Sequence, residues 1–258
     1  MTAPAVQHVT SRDNPLLKDL RKLAQDSTAY RKRGRVWLEG DHLGRAAILR
    51  GVRPAIVVIA ESAWPRFSGE FEHAAARAVV VADALFSTLS GLESPAPIGF
   101  VLDLPAPGEV APETATVVLD GLQDAGNVGA ILRSAAAFGF PQVIALKGTA
   151  ALWSPKVLRA GMGAHFGLRL IEGAQAATVA GLKIPLIATS SHRGDFLHRT
   201  ELPSPCAWLL GHEGHGVSAE LAALATMHVR IAQPGGEESL NVAAAAAICL
   251  HASASHGL

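Results

Sequence analysis

Thr116-Val117-Val118-Leu119-Asp120-Gly121-Leu122-Gln123-Asp124-Ala125-Gly126-Asn127-Val128-Gly129 is an apolar run that turns polar and then opens into a helix-forming segment. The run reads as a strand buried on both faces, and the polar stretch after it as the loop leading into a helix. The same pattern recurs where Cys206-Ala207-Trp208-Leu209-Leu210 meets Gly211-His212-Glu213-Gly214-His215-Gly216. A third loop, Gly235-Gly236-Glu237-Glu238-Ser239-Leu240-Asn241-Val242, runs straight into five consecutive alanines. Three loops at strand ends or helix starts lie where open α/β sheets keep their ligands.

Working outward, strands are expected near 116–119, 142–146, 185–189, 206–210 and 228–231, with helices near 128–138, 155–161, 174–181 and 241–252. This alternation predicts a mostly parallel sheet covered on both faces. Before it, Asn14-Pro15 starts a helix running to Ala24, and strands follow at Val36–Leu38, Ala55–Ile59, Ala78–Val81 and Ile98–Leu102, with a helix from His42 to Arg50. Pro105 to Pro112 is proline-rich and lacks apolar periodicity, so it reads as a linker. The expected organisation is a small α/β domain over 1–104, a linker over 105–112 and a second α/β domain over 113–258.

The 258 residues carry no net formal charge, yet residues 1–53 hold 11 Lys and Arg against 5 Asp and Glu. Lys18, Arg21 and Lys22 at helical spacing, followed by Arg31, Lys32, Arg33 and Arg35, could contact several phosphates of a nucleic acid or simply form a solvated face. The apolar run from Val242 to Leu250 is far short of the roughly 20 residues that span a bilayer, and Met1 to Thr10 lacks a signal-peptide pattern. A cytoplasmic protein is expected. The two cysteines, Cys206 and Cys249, sit in apolar surroundings and read as buried thiols.

Several chemistries lack their signatures. The glycines of 211–216 are not spaced as in a dinucleotide fingerprint, and no Gly-Lys-Ser/Thr follows them. His212 and His215 do not form H-E-x-x-H, so no metal is expected. No G-x-S-x-G elbow is present to begin a hydrolase triad. At the third loop, Ser239 or Asn241 could cap the alanine helix, and the same unpaired N–H groups could hold a ligand.

Taken in order, the three loops resemble the SpoU (TrmH) family of RNA ribose 2′-O-methyltransferases of the SPOUT superfamily. Asn127-x-Gly129-x-x-x-Arg133-Ser134-Ala135 is similar to the first family motif. Leu210-Gly211-x-Glu213-Gly214-x-Gly216-x-Ser218 is similar to the second, and Ile231-x-x-x-Gly235-x-x-x-Ser239-Leu240-Asn241-Val242 to the third. Ser154 to Ala164 resembles the segment such enzymes place before their central strands, and the N-terminal part resembles the family's L30e-like RNA-binding domain. His212, Ala232, Gln233 and Gly161 depart from the residues common in the family.

The resemblance implies a C-terminal trefoil knot, a homodimer with its site at the interface, S-adenosylmethionine as methyl donor and rRNA or tRNA as substrate. It implies Asn127, Arg133, Ser239 and Asn241 as catalytic residues. Leu210, Gly211, Glu213, Gly214, Ile231, Gln233, Ser239 and Leu240 are implied to hold the cofactor. A non-catalytic RNA-binding protein that keeps the fold is the alternative, although it would have no need of Asn127, Arg133, Ser239 and Asn241.

Overall fold

The computed structural model describes residues 6–190, 193–235 and 239–255. Gly236, Glu237 and Glu238 of the third loop lie outside the described residues. The chain forms two compact units, one made of residues up to Ala106 together with Trp153–Phe166, the other of Pro107–Leu152 and the chain from Gly167 onward.

In the first unit, the chain runs through β1 (Gln7–Val9), α1 (Pro15–Gln25), α2 (Ala29–Arg33), β2 (Arg35–Glu39), α3 (Asp41–Leu49), β3 (Ile56–Ala60), α4 (Trp64–Phe71), β4 (Ala78–Val81), α5 (Asp83–Phe86) and β5 (Ile98–Asp103). The sheet order is β1-β4-β3-β5-β2, with β5 antiparallel to both neighbours and the other pairs parallel. Helix α1 begins where its sequence says it should. The Asn14 side chain accepts the Leu16 N–H at 2.9 Å, Pro15 occupies the first turn, and Leu17, Leu20 and Leu23 fall on the buried stripe.

The second unit contains β6 (Thr116–Asp120), α6 (Ala125–Ala137) and β7 (Gln142–Leu146). The chain then makes α7 (Pro155–Gly161) before continuing through β8 (Arg169–Ala174), α8 (Ala176–Ala180), β9 (Leu186–Thr189), β10 (Asp195–Phe196), β11 (Ala207–Gly211), α9 (Ala219–Leu224), β12 (Met227–Arg230) and α10 (Val242–Ser255). The seven strands pair in the order β10-β12-β9-β11-β6-β7-β8, every pair parallel. Strands β6, β7 and β11 are buried almost throughout because both faces are covered. Val118, Ile144, Leu186 and Leu209 pack on one face with Val179 of α8 and Leu221 of α9. Helices α6 and α10 pack against each other beside β7 and β11.

Sequence order would assign α7 to the second domain, but this helix folds with the first unit. It packs on β2 and α1, burying Val157 and Leu158, and Arg159 pairs with Glu39 at 3.5 Å. The Ser90 hydroxyl donates to the other Glu39 oxygen at 2.5 Å. Gly161 also finds its reason here, since a Cβ at this position would lie 2.5 Å from Cε1 of the His165 ring.

Candidate active site

Strands β12, β9 and β11 lie side by side and parallel, so their C-terminal ends deliver three loops to one edge of the sheet. These loops and the first turns of α10 enclose a cavity of about 680 Å³, within the range of small-molecule sites. From β11 come Gly211, His212, Glu213 and Gly214, and from the chain beyond β12 come Ile231, Gln233, Ser239, Leu240 and Asn241. Strand β9 and its loop add Ala188, Thr189, Ser190 and Arg193.

The loop after β11 depends on close backbone approach. A Cβ at Gly211 would stand 1.9 Å from the carbonyl carbon of Gly216 and 2.0 Å from the Val217 nitrogen, so only glycine fits. The loop closes through the Gly216 N–H, which donates to the His212 carbonyl at 2.8 Å. His212, a departure from the family pattern, accepts the Gly214 N–H on Nδ1 at 2.9 Å and so holds the turn as an Asx side chain would.

Glu213 ties this loop to the one after β6. Its carboxylate accepts the N–H of Gln123 at 3.3 Å, the N–H of Asp124 at 3.2 Å and the side-chain N–H of Asn127 at 3.2 Å. Burial pushes its pKa up, but its own backbone N–H and these three donors outweigh that effect and hold the carboxyl below the usual glutamate range. Asp124 caps α6 by accepting the Asn127 N–H at 2.7 Å, which turns the Asn127 side chain toward the third loop. There Asn241 donates to Asn127 Oδ1 at 2.9 Å. With its own Oδ1, Asn241 accepts the N–H groups of Ala243 at 2.9 Å and Ala244 at 3.2 Å, capping α10. Asp120 joins the set by accepting the Ser218 N–H at 2.7 Å.

The expected residues divide into two groups. Gly211, Glu213, Gly214, Ile231, Gln233, Ser239, Leu240 and Asn241 line the cavity. Leu210 is fully buried within β11 and does not reach it. Asn127 stands behind the wall, joined to it through Glu213 and Asn241, and Arg133 is exposed on α6 outside the cavity lining. His215 and Cys249 also line the cavity, as do Arg193 and His228, which carried no sequence signal beyond their residue type. Burial pushes the Cys249 thiol up to about 12 and raises that of Cys206, and both cysteines are free. Among the described residues no group of three or more His, Cys, Asp or Glu is placed to hold a metal ion.

In the first unit, part of the basic segment is already partnered. Lys18 pairs with Asp13 at 3.0 Å, Arg35 with Asp103 at 3.1 Å, and Arg33 with Asp19. Arg21 donates to the Thr88 hydroxyl at 3.0 Å, and Arg31 lies 5.4 Å from the Tyr30 ring centroid. Lys22 and Lys32 are exposed.

The cavity suits an adenosyl cofactor. Ile231, Leu240, Val242 and Ala245 offer apolar walls for a base. Known proteins agree with this geometry. The sequence model of the SpoU rRNA Methylase family matches residues 114–251. The chain is 28% identical to the 23S rRNA (guanosine(2553)-2′-O)-methyltransferase RlmP of Bacillus subtilis over 250 residues, covering 95% of this chain and 98% of that protein. It superposes on an rRNA methyltransferase from Sinorhizobium meliloti solved with AdoMet bound, with a TM-score of 0.85, 26% identity and coverage of 98% and 99% of the two chains. A structure of an RNA 2′-O ribose methyltransferase gives a TM-score of 0.80 at 29% identity, covering 98% of this chain and 100% of that one. The family match spans more than half the chain and takes in all three loops, so the protein belongs to the SpoU rRNA methylase family.

Proposed function

We propose that this protein transfers a methyl group from S-adenosylmethionine to a ribose 2′-hydroxyl of structured rRNA. The observation that carries this reading is the coupling of all three loops around one cavity through Asn241, Asn127 and Glu213. S-adenosylmethionine supplies an electrophilic methyl group. The protein must then hold the ribose hydroxyl in line with it, and such positioning supplies much of the barrier reduction. Gly211, Glu213, Gly214, Ile231, Gln233, Ser239 and Leu240 would hold the cofactor, and Ser239 and Asn241, which also line the cavity, would orient the reacting groups.

Arg133 has the opposite character to a general base, since a guanidinium offers only donors, keeps its positive charge and forks onto phosphate. We assign it to the RNA phosphate beside the target ribose, where it orients the hydroxyl or lets the proton leave through the phosphate. Its position outside the cavity of its own chain is what supports a homodimer, in which a second copy brings Arg133 to the site. The exposed Ile248 on the otherwise alanine-rich α10 supports a partner on that face. A trefoil knot around the loops after β11 and β12 fits the strand order, and an L30e-like fold fits the first unit. That unit would dock the RNA through Lys18, Arg21, Lys22, Arg31, Lys32, Arg33 and Arg35, chiefly by shape and phosphate contact. No helix among the described residues is long and apolar enough to cross a membrane, and an rRNA substrate supports a cytoplasmic site of action.

Mapping 2′-O-methylated positions in total RNA, with and without the gene, tests the reading. One rRNA ribose should lose its methyl group in the deletion strain and regain it with the wild-type chain but not with Arg133→Lys. Unchanged methylation throughout would overturn the proposal.

A further inference from the structure

His215 fills an open position of the second motif, between Gly214 and Gly216, in the turn that follows β11. It is exposed and lines the cavity. Its Nδ1 lies 3.3 Å from Nδ1 of His212, and the two ring centroids are 4.8 Å apart. His212 Nδ1 already accepts the Gly214 N–H at 2.9 Å, so that nitrogen carries a lone pair and no proton. Two lone pairs facing each other there would repel. The proton between the rings is therefore assigned to His215 Nδ1, which donates to His212, and the neutral His215 ring keeps its acceptor lone pair on Nε2. An imidazole held by one nitrogen, with the other left to accept, is the arrangement that a general base requires.

We propose that His215 is the base of the methyl transfer, its Nε2 taking the proton of the ribose 2′-hydroxyl as the oxygen attacks the methyl carbon. This rests on the methyl-transfer reading above and leaves Arg133 to orient the hydroxyl. The ribose oxygen bonds to the methyl carbon, and the bond from that carbon to sulfur breaks with its electron pair going to sulfur. The products are the 2′-O-methyl ribose, S-adenosylhomocysteine and an imidazolium. A guanidinium cannot take that proton, whereas imidazole exchanges one near neutral pH. The other titratable groups on the cavity wall are engaged or distant. Glu213 spends its carboxylate on Gln123, Asp124 and Asn127, Arg193 offers only donors, and burial keeps the Cys249 thiol protonated. His212 spends Nδ1 on its own turn, which leaves the proton on Nε2. His228 belongs to β12, which β9 and β11 separate from β6 and the loop of Asn127. His215, in contrast, stands two residues from Glu213, the side chain that joins its turn to that loop.

Single-turnover methylation of rRNA from the deletion strain tests the proposal, comparing wild type, His215→Gln, His215→Ala, His212→Asn and His212→Ala between about pH 5.5 and 9. The wild-type rate should rise with pH through the histidine range. His215→Gln should lose on the order of 100-fold and flatten that rise, while its melting temperature and its calorimetric affinity for S-adenosylmethionine stay near wild type. Added imidazole should speed His215→Ala and not wild type. His212→Asn, whose Oδ1 can accept as Nδ1 does, should lose less turnover than His212→Ala, as expected of a residue that positions His215. A His215→Gln rate near wild type, an unchanged pH rise, or a loss of rate matched by lost cofactor affinity would overturn the role of His215 while leaving the methyl-transfer reading intact. Failure of wild type to methylate this rRNA would overturn both.

Discussion

Asn241 is bonded in two directions at once: its side-chain oxygen caps α10 through Ala243 and Ala244, while its side-chain nitrogen donates to Asn127 at the mouth of α6. One residue therefore couples the start of the last helix to the start of the first helix of the same unit. The cap and the cross-link can be separated by chemistry. Asn241→Asp keeps the capping oxygen but loses the donor, so it should unfold within about 1 kcal/mol of wild type and yet lose roughly 10-fold or more in turnover. Asn241→Ala should lose both, with a stability cost of about 1–2 kcal/mol. Denaturant melts and single-turnover methylation would check the pair, and equal loss of stability in the two variants would refute the separation.

Gly211→Ala has no space for its methyl group, because the obstructing atoms at 1.9 and 2.0 Å are backbone. The loop carrying Glu213 must shift, at about 1–3 kcal/mol for forced overpacking. Cofactor affinity, measured by calorimetry, should fall at least as steeply as stability does.

Glu213 makes the site acid-sensitive. Its folded-state pKa lies below the ordinary value of 4.5, so its stabilising contribution is complete at neutral pH and is lost as pH falls through the folded value. The melting temperature of wild type should therefore drop faster below about pH 4.5 than that of Glu213→Gln. Parallel acid limbs for the two proteins would show that the carboxylate does not support the loop.

Arg133→Lys keeps a positive charge but not the planar fork. Because Arg133 is exposed and lies outside the cavity lining, the variant should melt like wild type and bind S-adenosylmethionine with unchanged affinity. Its kcat should nevertheless fall, on the order of 100-fold, the scale of one lost positioning or proton-transfer group. Near-wild-type turnover would reject the phosphate-clamp role.

The parallel sheet was readable from the chain because strands buried on both faces are written as unbroken apolar runs, as in Thr116–Leu119 and Cys206–Leu210. Strand β8 escapes that reading because Arg169, Glu172 and Gly173 interrupt it at the sheet edge. Strands β1 and β10 escape it because they are only three and two residues long. The motifs pointed to the loop residues of the cavity. They could not show that Leu210 turns into the core, or that Arg193 arrives from the loop after β9 and His228 from β12, because those placements arise only when the strands pair.

The departure of α7 from sequence order bears on how this gene can be cut and recombined. A chain severed after Ala106 would strip the first unit of Val157, Leu158 and the Arg159 partner of Glu39, while the remaining piece would carry that helix with nothing of its own unit to fold against. Transplanting the first unit onto a different enzyme would therefore require two grafts rather than one, and descent by swapping whole halves would have had to carry residues 153–166 along.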